Sequence, residues 1–115
     1  AAPRTLRLAA EPIRLSTDRA VSLGVIVTEL VSNACKYAYP TNGGEVRVSL
    51  HGDGDAHFRL AVEDDGIGMK ADAAPTGTGV GTKLIRAMAQ SLQTIVEYDT
   101  GAQSGVRATL RAALD

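Results

Sequence analysis

Tryptophan does not occur in this chain, phenylalanine occurs once and tyrosine three times, so aromatic residues make up only 3% of it. A core must therefore be assembled from Val, Leu, Ile, Ala and Met. Cysteine occurs once, at Cys35, which excludes an internal disulfide and fits a reducing, cytoplasmic setting. Long apolar runs are also lacking. The richest, Val21 to Val31, is broken by Ser22, Thr28 and Glu29 and is too short to cross a bilayer, and the opening residues do not read as a secretory leader. Excess charge of one sign is missing too: 12 Lys and Arg stand against 13 Asp and Glu, a net charge of −1. Bulk electrostatics thus gives no reason to expect nucleic acid or a membrane surface as partner. What is present is 44% hydrophobic residues in 115, enough for one compact domain and too few for a second. Because the chain opens at Ala1 without methionine, residues 1–115 are read as one domain cut from a longer protein, which itself is either soluble or membrane-anchored.

Along the chain, Thr5 to Leu15 reads as a strand and a loose lead-in, split at Glu11-Pro12. Ser16 or Thr17 can cap a helix, with Asp18 in the first turn where the helix dipole favours an acid. Ala20, Leu23, Val27, Leu30, Val31 and Ala34 then recur at helical spacing, and this helix should end before Pro40. After a turn at Thr41 to Gly44, two alternating strands follow: Val46, Val48 and Leu50 on one face, then Phe58, Leu60 and Val62, joined by a hairpin turn over His51 to Asp55. A glycine-rich stretch, Asp65 to Gly81, leads into a second helix carrying Leu84, Ile85, Met88, Ala89 and Leu92 on one side. Thr94 to Tyr98 and Val106 to Ala112 close the chain as strands around a turn at Asp99 to Gly105. Strands joined by hairpins and two helices predict a two-layer α/β sandwich with a mixed, largely antiparallel sheet and the helices on one face.

Three clusters carry chemistry. On the first helix, Asn33 lies four residues beyond Glu29, and Lys36 and Tyr37 lie three and four beyond Asn33, which sets them on one stripe beside the apolar face. A carboxylate, an amide oxygen and an ammonium in line suit Mg²⁺ and phosphate, since magnesium takes hard oxygen donors and is held mostly by substrate phosphates and water. Alone, such a stripe equally describes a solvated helix edge. The second cluster, Asp64-Asp65-Gly66-Ile67-Gly68, follows a strand. Its acid can accept a proton from an exocyclic amine and its glycines let a ring approach the backbone, although an ordinary acidic turn has the same composition. The third is Gly77-Thr78-Gly79-Val80-Gly81, a glycine-rich entry to a helix. It is neither a dinucleotide fingerprint nor a P-loop, because both need glycine where Thr82 stands, and the P-loop needs Ser or Thr where Leu84 stands.

The order of the three is more specific than any one of them. Thr28 to Tyr37 resembles the N-box of the GHKL superfamily of ATPases and kinases, Asp64 to Gly68 its G1 box, and Gly77 to Gly81 its G2 box. Thr82 to Leu92 and the ending Gly105-Val106-Arg107-Ala108-Thr109-Leu110 are similar to the ATP-binding domains of bacterial sensor histidine kinases in particular. Glu29 with Lys36-Tyr37-Ala38-Tyr39-Pro40 resembles the subfamily bearing glutamate in the N-box, which is common in light and general-stress sensing. The lid segment Met69 to Thr76 lacks that family's phenylalanine box, Val106 stands where some relatives have threonine, and Thr82 replaces an aliphatic residue.

The resemblance implies a Bergerat-type fold with ATP and Mg²⁺ as cofactors. It implies that Asn33 binds Mg²⁺, Lys36 meets phosphate, Tyr37 packs near adenine, and Asp64 accepts the adenine amino hydrogen. Gly66 and Gly68 would make room for the base, while Gly77, Gly79 and Gly81 would hinge a lid and help hold phosphate. Glu29 would polarise the attacking group. The implied activity is that of a protein-histidine kinase of a two-component system. Its γ-phosphoryl acceptor would be a histidine on a separate helical dimerisation domain of the same protein, which passes the group to a response regulator. His51 and His57 fall in or beside the first hairpin turn and are not read as acceptors. Two alternatives stand beside this reading: a serine kinase of the same superfamily acting on an anti-sigma antagonist, and a degenerate nucleotide-binding module.

Overall fold

The structure, a computed structural model, describes residues 5–35, 44–66, 80–99 and 105–115. Within these residues the order is β1 (Thr5–Ala10), α1 (Thr17–Asn33), β2 (Glu45–Asp53), β3 (His57–Asp64), α2 (Val80–Ser91), β4 (Glu97–Asp99) and β5 (Arg107–Ala113). The strands form one mixed sheet in the order β1-β2-β3-β5-β4. β1 runs parallel to β2, with Leu6 opposite Val46 and Leu8 opposite Val48. All other pairs are antiparallel, with Leu60 set between Leu50 and Leu110. The expected two-layer sandwich is therefore present.

Local chemistry accounts for the element ends. Ser16 caps α1, its Oγ accepting a hydrogen bond from the Arg19 N–H at 3.3 Å, and Asp18 occupies the first turn. α2 ends in a Schellman arrangement: Gln93 N–H donates to the Gln90 carbonyl and Thr94 N–H to that of Ala89, both at 2.9 Å. That arrangement needs a left-handed residue between the two, and Gln93 takes it at φ 57°.

The inner face of the sheet supplies Val46, Val48, Phe58, Leu60, Val62, Ala108, Leu110 and Ala112 to the core, and the helices supply Leu23, Ile26, Leu30, Ala34, Ile85, Ala89 and Leu92. Phe58, Ile26, Leu60 and Leu92 are fully buried, and each such side chain contributes about 1.5–3 kcal/mol of transfer free energy. Leu6 and Leu8 of the edge strand β1 stay outside this core, 59% and 66% exposed.

The buried stripe of α1 is rotated from the one expected. Ser22, Leu23, Ile26, Leu30 and Ala34 face inward, Val27 and Val31 flank the core, and Ala20 is exposed. α1 packs against α2 as well as the sheet, so its buried stripe answers to two neighbours. The first hairpin turn is also shorter than expected. His51, Gly52 and Asp53 belong to β2, whose pairing runs on to Asp53 opposite His57, and the turn is confined to residues 54–56 with Gly54 at φ +70°. β4 keeps only Glu97 and Tyr98 of the expected Thr94–Tyr98 strand and adds Asp99, which was expected in the turn. Val106 is half-buried just ahead of β5, and Ala112 faces inward in addition to Ala108 and Leu110. The turn at Thr41 to Gly44 lies outside the described residues except for Gly44, and most of the Asp99 to Gly105 turn does too.

The outer face of the sheet is a ladder of opposite charges. Arg47 reaches Glu45 at 3.3 Å, Glu63 at 3.9 Å and Asp65 at 2.7 Å, Arg107 reaches Glu63 at 3.5 Å, and Arg111 and Arg59 reach Asp53 at 2.5 and 3.5 Å. Such exposed pairs fix register more than they add stability. No helix among the described residues is long and apolar enough to cross a membrane.

Candidate functional site

The parallel pairing of β1 with β2 makes β1–α1–β2 a crossover unit, so α1 runs back against the strand direction. Its C-terminal end thus comes to the end of the sheet where β2 begins. β3 ends there as well, since Val46 pairs with Asp64. One edge of the sandwich therefore collects Glu29 and Asn33 from α1, Asp64 from β3 and the start of α2.

Glu29 and Asn33 converge on α2. A Cβ placed on Gly81 would stand 2.5 Å from Glu29 Oε2 and 4.0 Å from Asn33 Oδ1. Gly81, expected in the loop before the helix, is the second residue of α2 itself. Ala34 and Cys35 continue α1 in a wider, π-type turn, a distortion that is common at functional sites.

Asp64 closes β3 and is only 9% exposed. Its Oδ1 accepts the Gly66 N–H at 3.0 Å, and its own N–H donates to the Val106 carbonyl at 3.0 Å. Burial pushes its carboxyl above the usual range. Hydrogen bonds from the Gly66 and Val106 backbone oppose that shift, neighbouring Asp65 adds to it, and Arg47 offsets part. Asp65 beside it is tied outward by Arg47 in a two-pronged contact of 2.7 and 2.9 Å, which holds its carboxyl below the usual range. Two adjacent acids are thus sorted, one into the protein and one into the charge ladder.

Gly105 and Val106 complete the wall around Asp64; the sequence marked Val106 as standing where some relatives have a threonine near the base, and assigned Gly105 no role there. Gly105 sits at φ +99°, and a Cβ on it would drive into the Asp64 carbonyl oxygen. The only sequence signal was a glycine immediately before a strand. Arg47 was likewise not anticipated, because its partner lies 18 residues away.

Of the residues singled out, Glu29, Asn33, Asp64, Gly66 and Gly81 are described and occupy this edge. Lys36, Tyr37, Gly68, Gly77 and Gly79 lie outside the described residues, as does the Met69–Thr76 segment. His51 and His57 are at the opposite end of the sheet. His51 contacts Glu11 at 3.4 Å, and His57 opens β3 seven residues before Asp64, roughly 23 Å along an extended strand. An apolar groove of about 560 Å³ lined by Ile13, Leu15, Leu23, Val27 and Leu50 contains none of the residues singled out. Among the described residues no group of three or more His, Cys, Asp or Glu could cage a metal. The oxygens of Glu29 and Asn33 are hard donors, and two of them fit an ion held mainly by phosphates and water, as Mg²⁺ is.

An acid buried at a strand end, a helix stripe of carboxylate and amide, and a glycine at the start of the facing helix define an ATP-binding domain of the GHKL class. The chain belongs to the histidine kinase-, DNA gyrase B- and HSP90-like ATPases, whose family model matches residues 18–115. Among relatives, it is 32% identical to the histidine protein kinase DivJ of Caulobacter vibrioides over 120 residues, covering 89% of this chain and 19% of DivJ. It is 36% identical to the sensor histidine kinase PdtaS of Mycobacterium tuberculosis over 56 residues, covering 48% of this chain and 11% of PdtaS. Its fold matches the histidine kinase domain of the blue-light activated kinase EL346 of Erythrobacter litoralis with a TM-score of 0.86, at 23% identity, over 98% of this chain and 52% of that one. The chain thus spans about a fifth or less of the length of these two curated relatives.

Proposed function

We propose that this domain binds Mg·ATP and donates its γ-phosphoryl group to a histidine on a separate helical dimerisation domain of the same, longer, cytoplasmically facing protein, which then serves a response regulator. The observation that carries the reading is the buried Asp64 carboxylate, held by the Gly66 N–H beside the edge where Glu29 and Asn33 meet α2. An ionised acid kept from water at this depth is costly unless a donor arrives to pair with it. The exocyclic amine of adenine is such a donor, and guanine, with a carbonyl at that position, is not.

Phosphoryl transfer needs positioning and charge stabilisation more than covalent chemistry from the protein. Asp64 fixes the base, and with it the direction in which the triphosphate extends. Asn33 contributes an amide oxygen that would help hold Mg²⁺, with Lys36 contacting phosphate and Tyr37 packing near the base. The metal, when bound, neutralises charge on the phosphate oxygens. Glu29 accepts a hydrogen bond from the incoming imidazole and so orients the ring nitrogen that forms the new P–N bond as the bond to ADP breaks. Gly66 and Gly68 leave room for the base, and Gly77 and Gly79 serve the lid. Glutamate at position 29 supports a reading among the N-box-glutamate kinases. The remoteness of His51 and His57 from this edge supports an acceptor outside the domain.

The test uses labelled ATP and a separately made histidine-bearing helical domain. Acid-labile phosphate on that histidine is expected. Acid-stable phosphoserine on a sigma-factor regulator, or no transfer with ATP bound, contradicts the reading. Asn33→Ala should weaken ATP binding in the presence of Mg²⁺ and leave binding in excess chelator unchanged, as calorimetry in both conditions will read.

A further inference from the structure

We infer that Gly81 is a positioning residue for the Glu29 carboxylate, set apart from any part in holding phosphate or hinging a lid; the inference rests on the phosphoryl-transfer reading above. Gly81 lies inside α2, where glycine is unfavourable by about 1 kcal/mol relative to alanine. Its backbone is outside the left-handed region that would demand glycine, unlike that of Gly54 and Gly105. The reason for glycine is therefore space. The three heavy atoms nearest to a Cβ at this position are Glu29 Oε2 at 2.5 Å, Glu29 Cδ at 3.5 Å and Asn33 Oδ1 at 4.0 Å. All three are side-chain atoms of the two α1 residues assigned to the chemistry.

The bare Cα lets Glu29 bring its charge to the first turn of α2. The positive end of the helix dipole favours an anion there. α2 has no acidic residue in its own first turn. Glu29 supplies that charge from the neighbouring helix, in the space that the missing Cβ leaves. A methyl at position 81 collides with the movable end of this side chain, not with backbone. Gly81→Ala therefore shifts the carboxylate while leaving Glu29 unsubstituted and the fold intact.

The test is a double-mutant cycle of Gly81→Ala with Glu29→Asp, read as phosphoryl transfer and as nucleotide affinity. Gly81→Ala should slow transfer about tenfold to a hundredfold, the cost of misplacing a reacting group by about 1 Å, with the ATP Kd changed by less than about threefold. Aspartate is shorter by one C–C bond, about 1.5 Å, and clears the added methyl. In the Glu29→Asp background, Gly81→Ala should slow transfer less than about threefold further. Equal slowing in both backgrounds, or no slowing from Gly81→Ala alone, overturns the inference.

A parallel cycle by thermal melting without nucleotide, with Glu29→Ala as the partner, decides the placement independently of any activity. Gly81→Ala should raise Tm more when Glu29 is truncated, approaching the gain of about 4 °C expected of alanine over glycine in a helix. An identical rise in both backgrounds contradicts the contact. Failure of the wild-type chain to bind ATP or to transfer overturns the phosphoryl-transfer reading instead, and the melting cycle still decides whether Glu29 and Gly81 meet.

Discussion

Asp64→Asn separates charge from shape at the buried acid of the proposed ATP site. Asparagine has the same outline as aspartate but one acceptor oxygen in place of two, and Gly66 N–H already uses Oδ1 of Asp64. If the amide oxygen keeps that bond, the amide nitrogen is left facing the incoming adenine amine, donor against donor. The variant loses a hydrogen bond to a charged group, worth about 1.5–3 kcal/mol, which weakens ATP binding roughly tenfold to a hundredfold. The pH dependence has a defined sign. The folded carboxyl lies above its ordinary value of 3.8 because burial penalises the charged form. The folded domain therefore holds a proton through a window where the unfolded chain has already released it. Stability of the free domain falls as pH rises from about 3.8 through the raised value, then levels off, because the unfolded state binds fewer protons there. ATP affinity runs the other way, since the amine needs the ionised acid. Calorimetric titrations between neutral pH and the acid limb of folding should show wild-type affinity falling as Asp64 protonates, while Asp64→Asn stays weak and lacks that limb. Equal affinity of the two proteins at neutral pH, or parallel pH profiles, refutes the role given to Asp64.

Gly105→Ala should be severely destabilising, because φ +99° strains alanine and its Cβ meets backbone that cannot swing aside. A fall in Tm of more than about 10 °C is expected by calorimetry, combining left-handed strain of about 1–2 kcal/mol with displacement of the β3–β5 contact. Gln93→Gly should stabilise by about 1 kcal/mol, since Gln93 occupies the left-handed position of the α2 cap at φ 57°, and urea melts will read it as a higher midpoint at unchanged slope. Arg47→Ala should cost less than about 1 kcal/mol despite the contacts of Arg47 with Glu45, Glu63 and Asp65, because exposed pairs are screened. That small cost should shrink further in high salt.

The helices and strands were legible wherever one periodicity dominated. α1, β2, β3 and α2 stand where spacing put them, and Phe58, Leu60 and Leu110 point inward as alternation required. The order of strands was not legible in this way. β5 inserts between β3 and β4, and β1 joins in parallel, through contacts whose partners are remote in sequence. The exposure of Ala20 and burial of Ser22 on α1, a helix that packs against both α2 and the sheet, depend on tertiary neighbours that periodicity in a single helix does not encode. In the site, Glu29, Asn33 and Asp64 could be picked out by the order of three motifs. Val106 could be noted only by comparison with relatives, and Gly105 and Arg47 could not be picked out, because what matters at each is the backbone angle or the cross-strand neighbour. Gly81 was seen as one of a run of glycines, and only the contact with Glu29 gives it a separate reason.

In the proposed function, one edge of the sandwich reads adenine through Asp64 while Asn33 secures the metal-bound triphosphate. A heteronuclear NMR titration of the chain with Mg·ATP tests it most directly. Saturable shifts of the Gly66 and Val106 amides and the Asn33 side-chain amide are expected, with GTP leaving Gly66 and Val106 unmoved at the same concentration. Shifts confined to other parts of the sheet, or equal responses to ATP and GTP, would contradict it.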